Sequence, residues 1–231
     1  MNGVKIGDKH SYTDFGLILS SKIISPPKAR IKLIDVPMRN GSIDLTEAVT
    51  GDIRYEDRKI TLTFSVIDPQ NTWTTKISEI ENSLHGKRLK LIFDEDRAFY
   101  YIGRVSVDSW TSDRNIGKLV LECTVDPFKY DILSSSDDWL WDPFDFETGI
   151  INEMNSITVS NTTTVTLIGR NFSTTPTFTA TAPMTLTYDG IVYELQEGTQ
   201  KFYDLFLKEG ENQLIFSGNG TVTIAYTGGS L

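Results

Sequence analysis

The sequence predicts a mainly β protein in two domains. The first is built from strands with one α-helix and a β-hairpin, and the second is a small β-sandwich. Three observations predict this. Apolar residues recur with period two through most of the chain, which is the period of a half-buried strand. One segment, residues 72–86, changes to helical spacing. The charge balance steps near residue 134: residues 1–133 carry 19 Lys/Arg against 19 Asp/Glu, whereas residues 134–231 carry 3 against 12. The second part therefore holds the whole formal net charge of −9, and a step of that size separates segments with different surroundings.

The first strands follow from alternation. In ITLTFSVI (60–67), Ile60, Leu62, Phe64 and Val66 fall on one face, and Thr61, Thr63 and Ser65 on the other. Residues 89–93, 99–110 and 118–125 read as three further strands. In VPMRNGSIDL (36–45), Asn40–Gly41 is a two-residue hairpin signal, because both positions tolerate φ > 0. In TWTTKISEIENSLHG (72–86), Trp73, Ile77, Ile80 and Leu84 form one apolar stripe of an amphipathic helix. Asn71 or Thr72 can cap its start and Gly86 can stop it. A lone helix of this kind packs on a sheet.

Residues 134–155 differ in composition: serines give way to acidic and aromatic residues, with four aromatics between Trp139 and Phe146. They read as a connection whose aromatics dock on one or both domains. The expected divisions are thus 1–133, 134–155 and 156–231. In the last of these, ITVS, VTLIGR, TFTAT, MTLTY, IVYEL, KFYDLFL, NQLIF and TVTIAY read as short strands separated by Gly, Asn, Asp or Pro. Asp189–Gly190 and residues 208–212 mark two hairpins.

Composition narrows the function. Hydrophobic residues are 39% and charged residues 23% of the chain, ordinary values for a folded core. No apolar run approaches the ~20 residues of a transmembrane helix. The N-terminal stretch lacks the apolar centre of a secretory signal. A single cysteine, Cys123, allows no intrachain disulfide, and with two histidines, His10 and His85, the donors for a zinc site are few. The acidic balance argues against a nucleic-acid coat. The expectation is a protein that acts through its surfaces, with no catalytic residue, cofactor or metal.

Each chemistry-bearing cluster has a plainer reading. Asp94–Glu95–Asp96 could offer oxygens to Ca²⁺ but lacks the spacing of a calcium loop, so a solvated turn is expected. Asp137, Asp138, Asp142, Asp145 and Glu147 could supply a glycosidase pair, and read instead as a solvated linker face. His85 reads as a helix-end histidine favoured by the negative end of the dipole. Lys87, Arg88 and Lys90 could meet phosphate, but an acidic neighbour is the expected partner. Cys123 reads as a small buried residue. The C-terminal aromatics Tyr188, Tyr193, Phe202, Tyr203, Phe206, Phe216 and Tyr226 could form a sugar platform, and read mostly as core. Asn40, Asn161, Asn171 and Asn219 head N-x-S/T triplets; roughly two are expected by chance among 11 Asn, so they signal little.

Several stretches resemble the distal tail proteins (Dit) of long, non-contractile-tailed bacteriophages. They are VPMRNGSIDLTEA (36–48), IRYEDRKITLTFSV (53–66), ISEIENSLHGKRLKLIFDEDRAFYYIGRVSVDSW (77–110), DPFKYDI (126–132), FETG (146–149) and EGENQLIFSGNGTVTIAYTGG (209–229). The order matches along nearly the whole chain, and the composite of LHGKRLKLIFDED, YYIGRV and DPFKY carries the specificity. Met38 departs from the pattern, which expects Gly before Arg39.

The resemblance implies an N-terminal β-sandwich with a helix and a hairpin, and a C-terminal galectin-like β-sandwich. It implies a hexameric ring, single or stacked in pairs, at the distal end of the virion's tail, assembled in the host bacterial cytoplasm. Its partners would be the tail tube protein, the tail-tip hub and a receptor-binding protein. DNA would pass through the channel only as cargo, with no membrane insertion. A closed ring needs two different complementary patches per chain. Arg39, Asn40 and Gly41 on the hairpin, and Arg104 on strand 99–110, are the expected interface residues, chosen for their polar, Arg-bearing faces. The competing readings are a carbohydrate-binding protein acting through the C-terminal domain and a tip hydrolase, which the scarcity of His and Cys disfavours.

Overall fold

A computed structural model describes residues 3–48, 51–66, 72–112, 116–132, 135, 154, 156–170 and 173–231. Most of the acidic-aromatic connection, including FETG and all five of its candidate carboxylates, lies outside the described residues, as do Asn71 and Asn171. The chain divides into two compact units: Met1–Glu95 with Tyr101–Pro127 and Leu231, and Asp96–Tyr100 with Phe128–Ser230.

In the first unit, β1 (Val4–Ile6), β2 (Lys9–His10), β3 (Leu17–Ile24), β6 (Arg58–Val66), β7 (Arg88–Phe93), β8 (Phe99–Ser112) and β9 (Gly117–Val125) form an antiparallel sheet. Its order is β2-β1-β7-β8-β9-β6-β3. The expected alternation sets its faces: Ile60, Leu62 and Phe64 of β6 stand opposite Cys123, Leu121 and Leu119 of β9, and all six are fully buried. At about 1.5–3 kcal/mol for each large apolar side chain withdrawn from water, this face is a main source of stability.

The single α-helix among the described residues, α1 (Trp73–Leu84), lies within the segment where its periodicity predicts it. Ile80 and Leu84 join the core of the sheet, and Ile77 packs against it. Trp73 meets Trp110 of β8 edge to face at 5.7 Å. Thr72 takes the N-cap position without a side-chain capping bond, and Gly86 follows the helix with φ +74°. At Gly103 of the YYIGRV stretch, a Cβ would sit 2.2 Å from the carbonyl oxygen of Thr124. Only glycine lets β8 and β9 approach this closely.

Between β3 and β6 the chain leaves the sheet as a two-stranded ribbon carrying β4 (Leu33–Ile34) and β5 (Ile43–Asp44). The expected hairpin is present, but its connection is the eight residues 35–42 rather than Asn40–Gly41 alone. The turn begins early because Met38 adopts φ +67°, ahead of Gly41 at φ +79°. Ser42 Oγ closes the base by donating to Asp35 Oδ1 at 2.7 Å.

In the second unit, β11 (Ile157–Gly169) pairs along its whole length with β16 (Gly210–Ala225). β16 also pairs with β13 (Met184–Tyr188) and then with β12 (Thr177–Ala180). β14 (Ile191–Leu195) and β15 (Gly198–Lys201) add to β13 and β12. β10 (Lys129–Asp131) pairs with Phe99–Tyr100 and with β17 (Gly229–Ser230).

Four expected strands thus merge into two. The Gly and Asn residues expected to separate them sit inside a bent ladder, where Asn161 N–H donates to Asn219 Oδ1 and β16 changes partner. Gly218, at φ +151°, is pressed against Met184, whose Cβ would lie 2.7 Å from an added Cβ. Asp189 (φ +50°) and Gly190 (φ +78°) make the expected two-residue turn between β13 and β14.

KFYDLFL is not a strand. Residues 202–206 turn, with Leu205 N–H bonded to the carbonyl of Phe202. Leu205 and Leu207 fill the core, whereas Tyr203 and Phe206 face water. Residues 208–212 accordingly make no hairpin. Buried Asn212 organises them: its Oδ1 accepts from Lys208 N–H (2.8 Å) and Tyr188 OH (2.7 Å). Its Nδ2 donates to the carbonyls of Lys208 (2.8 Å) and Gly210 (2.9 Å).

Candidate assembly surfaces

The ribbon supplies the first surface. Arg39, Asn40 and Gly41 stand exposed at its tip. Behind them, Ala29 bridges Tyr55, Arg30 N–H donates to the carbonyl of Arg54, and Glu56 N–H to that of Lys28. Its apolar side chains are not covered: Ile31 is 66% exposed, Leu33 58%, and Met38 at the tip is wholly in solvent. Lys28, Arg30, Lys32, Arg39 and Arg54 form no side-chain hydrogen bond or ion pair among the described residues. The reading of the sequence named Arg39 but missed the other four cations and the exposed apolar residues. The alternation K-A-R-I-K-L (28–33) carried that signal.

Arg104 lies on the main sheet, apart from the ribbon's own strands. It is exposed, and its guanidinium donates to the carbonyl of Gly86, just past α1. It stands opposite Arg88, whose Nη2 donates to both oxygens of Asp126 at 2.9 and 2.7 Å. Lys87 donates to the carbonyl of Asn82 at 2.8 Å. Within the Lys87–Arg88–Lys90 group, Arg88 has the expected acidic partner and Lys87 a helix-end carbonyl in place of phosphate.

His85 differs from its expected role. Its Nδ1 accepts the N–H of Val107 at 3.0 Å, so the bonded ring is neutral rather than a cation on the helix dipole. It borders a shallow hollow with Glu81, Asn82 and Val107. With Nδ1 so occupied the proton sits on Nε2, which leaves no lone pair there for a metal.

The acidic triplet forms a turn, but each of its carboxylates has its own partners instead of facing only water. Asp94 accepts from Gly3 N–H (2.8 Å) and faces His10 Nε2 (3.1 Å). Glu95 pairs with Lys22, and Asp96 with Lys129 at 3.0 Å. His10 Nδ1 accepts the N–H of Tyr12 at 3.2 Å. Among the described residues no group of three or more His, Cys, Asp or Glu side chains is placed to hold a metal.

Cys123 is buried, and burial followed by the neighbouring Glu122 charge pushes its thiol up to about 12. Of the seven C-terminal aromatics, Tyr188, Tyr193, Phe216 and Tyr226 are buried and Phe202 packs against the core. Tyr203 is 80% exposed, with Lys201 Nζ 5.9 Å from its ring centre.

No protein-family model matches the sequence, and no curated protein matches it. A solved structure does match in fold, over 100% of both chains, with a TM-score of 0.66 and 15% identity. It is described as the SPP1 Dit (gp 19.1) protein, a paradigm of the hub adsorption apparatus in phages that infect Gram-positive hosts. The chain therefore has a Dit-like fold, mainly β with one helix among its described residues, as its resemblance to that family implies.

Proposed function

We propose that this chain is a structural component of a phage tail tip, a hub protein whose copies close into a hexameric ring between the tail tube and the receptor-binding apparatus. The observation that carries the reading is the end-to-end match in fold to a hub protein of an adsorption apparatus. The uncovered ribbon supports it, since apolar residues left in water on a folded unit mark a surface made for a partner. In this reading Arg39, Asn40, Gly41 and Arg104 contribute to contacts between copies, and the ring leaves a channel for DNA. The near-neutral first part of the chain suits close association of identical copies, because a large like charge would hold them apart.

The test is the native mass of the purified full chain. A hexamer, or a dodecamer of two rings, is expected, with smaller species after Arg39→Ala/Arg104→Ala. A monomer at every concentration, alone or with the tail tube protein added as a template, would overturn the reading. Sugar binding through exposed Tyr203 and Phe206 would then be measured instead.

A further inference from the structure

The sequence holds three Asn–Gly pairs, at 2–3, 40–41 and 219–220. This pair is chemically reactive. Glycine has no Cβ to shield its own backbone nitrogen, so that nitrogen can reach the carboxamide carbon of the asparagine before it. Asn2 lies outside the described residues, and the other two pairs meet contrasting surroundings.

Asn40 and Gly41 are both exposed in the eight-residue connection at the ribbon tip. Neither the Asn40 carboxamide nor the Gly41 N–H makes a hydrogen bond among the described residues. Gly41 has φ +79°, and a Cβ built on it would meet nothing within 4 Å. Nothing in the fold therefore fixes the torsions between the carboxamide and the next nitrogen.

Asn219 and Gly220 lie inside β16, opposite Ser160 and Val159 of β11. Asn219 Oδ1 accepts the N–H of Asn161 at 3.1 Å, which holds the carboxamide in place. A Cβ on Gly220 would come 3.1 Å from Thr181 Oγ1. Bringing this carboxamide over the next nitrogen would break that bond and the ladder around it.

We propose that Asn40–Gly41 is a site of spontaneous covalent modification in the folded chain, at which Asn40 loses ammonia through a cyclic imide and becomes a carboxylate. The Gly41 nitrogen gives its proton to hydroxide and attacks Asn40 Cγ, forming the new C–N bond. The Cγ–Nδ2 bond breaks, and ammonia leaves after taking a proton from water. Water then opens the five-membered imide. Cleavage of the new bond gives aspartate. Cleavage at the former Asn40 main-chain carbonyl gives isoaspartate, in which the chain runs through the side chain and is one methylene longer. Water is the only co-reactant, and nothing is oxidised or reduced.

Both products change the tip. In residues 35–42 the charges of Asp35 and Arg39 now cancel, and conversion leaves this connection at −1. The new carboxylate lies next to Arg39, whose side chain has no ion-pair partner among the described residues. The charge of the tip thus records the age of the chain, whether or not copies assemble.

The test incubates the purified full chain in mildly alkaline buffer made with ¹⁸O-water, followed by peptide mapping. Isoaspartate and aspartate carrying ¹⁸O are expected at position 40. Asn219 should convert about tenfold more slowly or less, because its strand must first open. In urea the two rates should converge. Gly41→Ala should slow conversion at Asn40, and Asn40→Gln should abolish it with an unchanged unfolding midpoint. Conversion of Asn40 no faster than that of Asn219 in the folded chain would overturn the proposal, whatever the native mass. So would aspartate appearing at position 40 without isoaspartate, which would mean direct hydrolysis of the carboxamide.

Discussion

Two antiparallel pairs in the first unit share a sequence pattern and meet opposite fates. Along β6 and β9, alternate apolar residues are wholly buried in one cluster with Ile80 and Leu84 of α1. Along the ribbon, alternate apolar residues stand mostly in water. Local sequence distinguishes the two only through the outer positions, which hold mainly Thr and Ser on β6 but Lys, Arg and Lys on the ribbon. Alternation decides which residues share a face. What covers that face depends on elements distant in sequence, here α1 with residues of β1 and β7 for one pair and nothing within the chain's described residues for the other.

The comparison is sharpest where stability is measured. Phe64→Ala should cost about 3–5 kcal/mol in a urea titration, through lost burial and an unfilled cavity. Leu33→Ser on the ribbon should stay within about 0.5 kcal/mol of wild type in the unassembled chain. Equal losses at the two sites would mean that the ribbon's apolar face is covered by its own unit.

A smaller effect comes from alkaline pH. Burial pushes the Cys123 thiol and the Tyr226 hydroxyl up to about 12, from ordinary values of 9.0 and 10.0. Both folded-state values are raised, so the stability tied to the neutral forms is complete below about pH 9 and is lost as pH rises toward 12. The denaturant midpoint should therefore fall across that window. Tyr226→Phe should flatten the fall contributed by the second unit, although it also removes the bond from Tyr226 OH to the Ile168 carbonyl at 3.2 Å. Thiol reagents should label Cys123 only on unfolding, and rapid labelling at pH 8 would contradict its burial in the sheet.

The smallest effect belongs to the ribbon tip. Met38 holds a left-handed conformation that glycine adopts without steric cost. Met38→Gly should therefore stabilise the tip by a few tenths of a kcal/mol, after the greater freedom of glycine in the unfolded chain is deducted. Slower amide exchange of residues 35–42 would show it, and faster exchange would show that the strain lies elsewhere.

Much of this molecule was legible in its sequence, and the failures share a cause. The helix was legible because four apolar residues at spacings of 4, 3 and 4 have one solution, a stripe on a sheet-packed helix. The core strands were legible because period two allows one buried face. The Asp189–Gly190 turn was legible from residues that accept positive φ. The merged strands were not, because Gly and Asn that usually end a strand can also let one bend. The turn at 202–206 was not, because Leu205 and Leu207 fill the core from a loop as well as from a strand. The role of His85 was missed because its partner, the N–H of Val107, is a backbone group 22 residues away.

By itself, then, the sequence determined the mainly β class, the helix, the two-residue turn and the buried cysteine. These depend on periodicity, local backbone preference and chemical inventory, which neighbouring residues carry. Only the tertiary structure decided that the acidic triplet would be divided among separate partners, that Arg104 would hold the end of the helix, and that the ribbon would keep its apolar and basic faces in water. Those outcomes depend on which distant segments meet, and the physics of burial and ion pairing acts on that meeting rather than on any one stretch of chain.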